Sequence, residues 1–564
     1  MTLLIRDVIV VDGDGDGAGV GVGEGGSAEP LDVVVDDEVV QRVEARGTTS
    51  PESVDAVLAG DGRMLLPGFV DAHAHADGRL FDASVQLALL RQGVTTVIGG
   101  QDGVSYAPGD GAYASEYFAA INGPHPAWRG GGIRDLLASY DGATALNAGV
   151  LVPAGTVRHV ACGRSTDAAS PAELGRMRAL VADGLADGAL GLSTGLDYVP
   201  GIFAGTDELV ALAEPVAAAG GVYVSHMRGG YEANSAAGIA EVAEIARRTG
   251  VPVHVSHFHA EPPIVHDLLD GLAASGVDAT FDAYPYTRGC SILAMPILPA
   301  SLTVRPVDEV LGALRDPAER QRLLDDWFPS IVDYPSLGPD WPGMLTLAHV
   351  ASPEHAWALG RTLGDAARAA GTDPASFALD VLAASRLEVN VVMAVRHERS
   401  PAELASILAH PRAIGGSDGI FVGGHPHPRA RGTFARYLRL LVLQEQALDW
   451  PDAAALVSTR AADRFGLGLR GRIRAGWTAD LVLVDPDRVR DRATYDEPLA
   501  LAEGIEDVLV AGVPVLAGGA LTGATPGRGI RRGTRGSTTD GRPARSAARA
   551  AADRSAARST STGA

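Results

Sequence analysis

Pro67-Gly68-Phe69-Val70-Asp71-Ala72-His73-Ala74-His75 is an apolar run that ends in His-x-His. On an extended strand alternate side chains share a face, so His73 and His75 can point at one cation. Alone, such a pair is weak evidence, because most histidines of this kind are surface or core residues. Later runs change the balance. Val222-Tyr223-Val224-Ser225-His226 and Val253-His254-Val255-Ser256-His257 are apolar and also end in histidine. Ile414-Gly415-Gly416-Ser417-Asp418-Gly419 closes another run with a carboxylate. In a barrel of parallel strands the C-terminal strand ends converge on one site. Core packing explains such a set poorly, since buried polar groups without partners are costly.

Around these runs the centre of the chain alternates strand and helix. Strands are predicted at 68–73, 95–98, 145–152, 188–193, 222–226, 253–257, 279–284 and 413–417. Ser170-Pro171-Ala172-Glu173 is a capping box with proline at the first helical position, so a helix begins there. Eight strands with helices between them predict an α/β fold, a TIM (β/α)8 barrel. The interval before the last strand is too long for one helix. Residues 290–411 hold several helices and strand-like runs at 344–349 and 389–395. They are read as an insertion after barrel strand 7, emerging at the catalytic face as a lid.

The chain ends differ from the centre. Short strands at 3–11, 32–35 and 39–43 have counterparts at 480–484 and 508–516. This predicts a small discontinuous β-sandwich domain, 1–62 with 469–525, beside a barrel over 63–468. The Gly/Asp-rich stretch 12–26 cannot pack and reads as a flexible hairpin excursion. Residues 526–564 are rich in Arg, Ala, Ser, Thr and Gly without apolar periodicity, which predicts a disordered basic tail.

Composition narrows the partners. The 564 residues are 46% hydrophobic and carry a formal net charge of −22. Nucleic acid and anionic membranes both need a basic face, so neither is expected as a partner. An anionic substrate would need arginine inside the pocket to offset that field. The chain contains no lysine, so all 47 basic residues are arginine. This excludes Schiff-base chemistry, a Walker-type phosphate loop and a metal pair bridged by a carboxylated lysine. The two cysteines, Cys162 and Cys290, cannot build a disulfide framework. No apolar run has the length of a signal core or a membrane span, and a cytoplasmic protein is expected. Nothing in the residues sets the oligomeric state.

His-x-His on the first strand, histidine on the fifth and sixth and aspartate on the eighth resemble the amidohydrolase superfamily. Further motifs resemble the D-aminoacylases (N-acyl-D-amino-acid deacylases). They are Gly191-Leu192-Ser193-Thr194-Gly195-Leu196, Ser225-His226-Met227-Arg228, Asp282-Ala283-Tyr284-Pro285-Tyr286, Gly416-Ser417-Asp418-Gly419, and His427-Pro428-Arg429 with Gly432-Thr433-Phe434. Gly471-Arg472-Ile473 and Ala479-Asp480-Leu481-Val482 fit the return to the sandwich, and the resemblance extends to about residue 530. It implies metal-dependent hydrolysis of the amide bond of a small N-acylated amino acid, giving a carboxylate and a free amino acid. Preference for the D-enantiomer is implied by the resemblance alone. The implied cofactor is Zn2+, one tight ion held by His226, His257 and Asp102. His73 and His75 complete that site or hold a second, weaker ion. Asp418 is implied as the general base that deprotonates metal-activated water and returns the proton to the departing amine. Arg429, Arg228, Tyr284 and His259 are candidates for the substrate carboxylate, with Arg288 as an outer possibility, since an arginine fork suits a carboxylate.

Three departures from the family pattern bear on these expectations. The family carries a ligating cysteine in a turn after the second strand; here the turn is Gly100-Gln101-Asp102-Gly103. A carboxylate is a competent, harder ligand and can bridge two metals. His259 stands where the family often has a lysine that contacts substrate, and Cys290 stands in the substrate loop at a position commonly serine. These changes leave the reaction class intact and open the substrate preference. Another amidohydrolase, a cyclic amidase or a deaminase, is the nearest alternative. A non-catalytic barrel scaffold is a remote one, because such relatives typically lose ligands that are present here.

Overall fold

The computed structural model describes residues 1–13, 29–333 and 337–533. At its centre eight strands are arranged in chain order: β1 (Phe69–Asp71), β2 (Val94–Gly99), β3 (Asn147–Val150), β4 (Gly191–Gly195), β5 (Val222–His226), β6 (Val253–Val255), β7 (Ala279–Asp282) and β8 (Ala413–Ile414). Each pairs in parallel with the next, β3 reaching β4 through the short continuation Val152–Pro153. The ring closes between β8 and β1. Ala72 N donates to Gly415 O (3.0 Å), Asp418 N donates to His73 O (2.7 Å), and Ala74–His75 pairs in parallel with Gly419–Ile420. Strands covered on both faces read as continuous apolar runs, which is why β2 and β5 are buried throughout. The chain is thus a TIM barrel. The helix Pro171–Ala186 starts where its capping box predicted, with Ser170 Oγ and Glu173 serving each other's backbone N–H groups.

Both chain ends build one nine-stranded sheet with a core of its own, including Ile5, Val33, Leu65, Leu481 and Leu509. Its seam is Met64–Pro67 antiparallel to Leu481–Val484, so this sheet extends five residues past the boundary expected at 62 and leads straight into β1. The single strand expected at 508–516 is instead a hairpin, Ile505–Val510 with Val513–Ala517. Its turn is Ala511-Gly512, both in the left-handed region (φ 48° and 73°). The apolar run crosses that turn without a polar marker, so the pattern conceals it. The excursion expected at 12–26 falls almost wholly outside the described residues, which omit 14–28.

The first residues of the tail expected from 526 are ordered in the structure. Gly529–Ile530 pairs in parallel with Ala148–Gly149 of β3, and Ile530 is buried among Val70, Ile98, Leu190 and Phe465 inside the barrel. Glycine is required at 529, because a Cβ there would stand 2.1 Å from Leu137 O. Its two residues are too short a strand to leave a periodic signal. The rest of the expected tail, 534–564, lies outside the described residues.

The insertion after β7 carries a three-stranded antiparallel sheet, Val389–Met393 between Gly289–Ile292 and Leu345–Val350. Its helices pack on it around a separate core that includes Leu293, Phe328, Leu347, Phe377 and Val391. Among the described residues no helix is long and apolar enough to cross a membrane.

Candidate metal centre

Asp102, at the end of β2, is the hub of the site. Its turn runs through the left-handed region at Gly100, Asp102 and Gly103 (φ 72°, 53° and 71°). Ser193 of β4 fastens it by accepting from Gly103 N at 3.1 Å and donating to Gly100 O. Gly195 must lack a side chain, since a Cβ there would stand 2.1 Å from Asp102 O. His257 and Asp418 also take positive φ (34° and 49°). Left-handed backbone at non-glycine residues is unfavourable and persists only where the surroundings enforce it.

The imidazoles surround Asp102 at nearly equal range. Asp102 Oδ2 lies 3.6 Å from His75 Nε2, 3.5 Å from His226 Nδ1 and 3.6 Å from His257 Nε2, and Oδ1 lies 3.6 Å from His73 Nε2. His226 Nδ1 and His257 Nε2 are 3.0 Å apart. Atoms about 2.1 Å from one tetrahedral zinc stand roughly 3.4 Å from each other. The spacing fits ligands around a cation. His73 Nε2 and Asp102 Oδ1 are also buried with no hydrogen-bond partner, which a cation would supply. Two overlapping trios are able to hold an ion, His73–His75–Asp102 and Asp102–His226–His257, with Asp102 common to both.

Groups behind the imidazoles aim them. Asp282 faces His73 Nδ1 at 3.3 Å and His254 Nε2 at 2.8 Å, and accepts from His257 N at 2.8 Å. Asp197 faces His226 Nε2 at 3.2 Å. A proton held on those outer nitrogens leaves the inner ones free to ligate. Asp71 accepts from Ser417 N (2.8 Å) and Ser417 Oγ (2.5 Å), tying β8 to β1 beside Asp418; burial pushes its carboxyl up to about 7.

Asp418 reaches His75 Nε2 at 3.3 Å and is paired with Arg429 at 2.9 Å. Burial works to raise the Asp418 carboxyl, but Arg429 and the neighbouring imidazoles hold it below the usual carboxylate range. Burial likewise works to lower His75 and His226. Contacts with Asp102 and with Asp418 or Asp197 outweigh it and lift both to about 10.

The structure therefore brings together His73, His75, Asp102, His226, His257 and Asp418. Tyr284, His259 and Cys290 line the adjoining pocket, with empty volume of about 950 Å³. Burial pushes the Cys290 thiol up to about 12. Two predicted substrate residues do not line this pocket. The Arg228 guanidinium is engaged by Glu241 and by the carbonyls of Ile202 and Ala204. Arg429 is fully buried, stacked on Tyr284 at 4.4 Å and turned to Asp418. Arg288, the outer candidate, stacks on Tyr495 at 4.3 Å. Asp197, Asp282 and Arg399 were not singled out from the sequence. Asp282 carries the same signal as Asp418, a carboxylate closing an apolar strand; the other two sit in loops with no pattern.

The amidohydrolase family model matches residues 56–317 and 342–516. The D-aminoacylase of Alcaligenes xylosoxydans xylosoxydans is 31% identical over 506 residues, covering 87% of this chain and 92% of that protein. The N-acyl-D-glutamate deacylase of the same organism is 31% identical over 520 residues, 90% of this chain and 94% of that protein. The crystal structure of N-acyl-D-glutamate deacylase from Bordetella bronchiseptica, complexed with zinc and a phosphonate inhibitor that mimics the tetrahedral intermediate, is 27% identical. It covers 94% of this chain and 99% of its own, with a TM-score of 0.76. Fold, strand-end imidazoles and these likenesses agree: the chain belongs to the amidohydrolase family, in its D-aminoacylase branch.

Proposed function

We propose that this chain is a zinc-dependent deacylase that hydrolyses the amide bond of N-acyl-D-amino acids. The observation that carries the reading is the set of four imidazoles around Asp102 with Asp418 beside them, at the floor of a pocket large enough for a small acylated amino acid. His226, His257 and Asp102 hold one ion in this reading, and His73 and His75 share Asp102 around a second position. The chemistry that zinc supplies when bound is Lewis-acid polarisation and acidification of water.

The residues of the chain do the rest. Asp418, ionised and fixed by Arg429, accepts a proton from water as its oxygen bonds to the amide carbon. The same carboxyl then delivers that proton to the nitrogen as the C–N bond breaks, because an amide nitrogen leaves poorly unless protonated. Asp197 and Asp282 hold the His226 and His73 imidazoles in one tautomer. The insertion contributes Met295 and Met393 to the pocket wall, an apolar surface beside the reacting groups. The β-sheet built from both chain ends is read as a separate domain that carries none of these groups. A cytoplasmic location is supported by the free thiols of Cys162 and Cys290.

A panel of N-acetyl-D- and N-acetyl-L-amino acids, assayed for amine release with and without added Zn2+, tests the reading. Zinc-dependent turnover of D-substrates is expected. Turnover of hydantoins or of L-substrates in their place would overturn it.

A further inference from the structure

His254 takes no part in the chemistry above, yet it is fully buried inside the barrel. It lies on β6, and the pairing with β7 sets it directly against Thr280. Alternate residues of a strand share a face, so Thr280 and Asp282 both present their side chains to it. His254 Nδ1 lies 2.8 Å from Thr280 Oγ1, and Nε2 lies 2.8 Å from Asp282 Oδ2. Phe465 covers the ring edge-on at 5.5 Å. An imidazole cut off from water is costly unless its nitrogens are served, so an apolar side chain is the ordinary filler of such a place. Both nitrogens are served here, and one of them by a carboxylate.

That carboxylate connects His254 to the metal centre. An ionised carboxylate only accepts, so His254 Nε2 donates to it, and the Thr280 hydroxyl is placed to serve Nδ1. Asp282 Oδ2 also faces His73 Nδ1 at 3.3 Å, and Oδ1 accepts from His257 N at 2.8 Å. Gly416 makes room for this carboxylate, since a Cβ there would stand 2.8 Å from Asp282 Cβ. Oδ2 is thus shared by two imidazoles, and the shorter contact is the one to His254. The place of that oxygen decides whether His73 keeps its proton on Nδ1 and turns a bare Nε2 inward. His73 Nε2 is buried without a hydrogen-bond partner, as a ligand nitrogen would be.

We propose that His254 is a positioning residue for the metal position of His73 and His75, acting through Asp282 and oriented by Thr280. The proposal rests on the reading above of two metal positions that share Asp102. Without the His254 donor, Asp282 is a buried charge held by His73 and one backbone amide, and Oδ2 is free to turn from the His73 ring. The position built on His226 and His257 depends on it less. Asp197 aims His226, and Asp282 meets His257 at the backbone.

The test titrates the metal-stripped, full-length protein with Zn2+ against a chromogenic chelator, and with Co2+ followed by its visible absorption. Wild type, His254→Leu, His254→Gln and Thr280→Val are compared, each with its denaturant midpoint. Wild type is expected to fill in two steps. His254→Leu is expected to weaken the second step roughly tenfold to a hundredfold, with a smaller change in the first, and to alter the cobalt spectrum of the second. His254→Gln is expected to stay near wild type, because its amide can donate to Asp282 and accept from Thr280. A residue that only fills space predicts the reverse order, since leucine suits a dry interior better than glutamine. Thr280→Val keeps His254 and is expected to weaken the same step by less. It carries the test should the leucine variant not fold, and two unchanged steps in it would then overturn the proposal. Two unchanged steps in His254→Leu, or equal losses in His254→Leu and His254→Gln, would overturn the role of His254 while leaving the two-position reading standing. A wild type that takes up a single ion would instead overturn that reading, and this proposal with it.

Discussion

Asp418 stands at the junction of a strained turn, a buried ion pair and the imidazole cluster, and each constraint serves one requirement. The positive φ directs the carboxylate inward, Arg429 keeps it ionised, and the bond from Asp418 N to His73 O fixes it relative to β1. Removing the charge while keeping the shape separates base from ligand. Asp418→Asn is expected to retain zinc and to lose roughly a hundredfold to ten-thousandfold in kcat, the range of a general base. His257→Ala is expected to lose zinc, because it removes a nitrogen from the trio around Asp102. Elemental analysis beside steady-state kinetics checks both; an active Asp418→Asn would assign the proton transfer elsewhere. The four candidate histidine ligands and Asp418 were legible because each closes an apolar strand, a placement that core packing does not explain; Asp102, in a Gly-rich turn, was legible only through the family resemblance. Asp197, Arg399 and the second duty of Asp282 were not, because their meaning lies in which loops meet in space. Arg228 misled for the same reason: its motif is local, but Glu241, thirteen residues on, captures its guanidinium.

At the scale of elements, the barrel strands could be read from their apolar runs and the insertion from an interval too long for one helix. Two features escaped. One is the hairpin at Ala511-Gly512, where the apolar run passes through the turn. The other is the strand Gly529–Ile530, two residues in a Gly/Arg-rich context that composition alone assigns to a tail. That strand is integral to the barrel in the structure. It pairs with β3, Arg532 N donates to Gly188 O at 3.0 Å ahead of β4, and Ile530 enters the barrel core at 4% exposure. Ile530→Ala is therefore expected to lower the unfolding free energy by about 2–5 kcal/mol, the range for truncating a buried isoleucine. A chain ending at 525 should lose more, since the backbone bonds to β3 go as well. Denaturant midpoints measure both, and a midpoint that does not move in either variant would place the strand outside the cooperative fold.

For the whole molecule the governing fact is a chain without lysine and with a net charge of −22 that is read as taking up an anion. Long-range and short-range electrostatics then oppose each other. The summed field repels the substrate on approach, whereas the metal cradle attracts it inside the pocket. Salt separates the two contributions, because the Debye length falls from about 30 Å at 0.01 M to about 8 Å at 0.15 M and exposed charges are screened far more than buried ones. Raising ionic strength over that range is expected to lower KM for an N-acetyl-D-amino acid by roughly two- to tenfold with little change in kcat, since the approach barrier is relieved and the buried contacts persist. The neutral carboxamide should show no such dependence. The pair of substrates matters, because a general effect of salt on the fold or on zinc would move both alike. A KM for the acid that rises with salt would mean that the attraction of the pocket extends into solvent and outweighs the acidic surface.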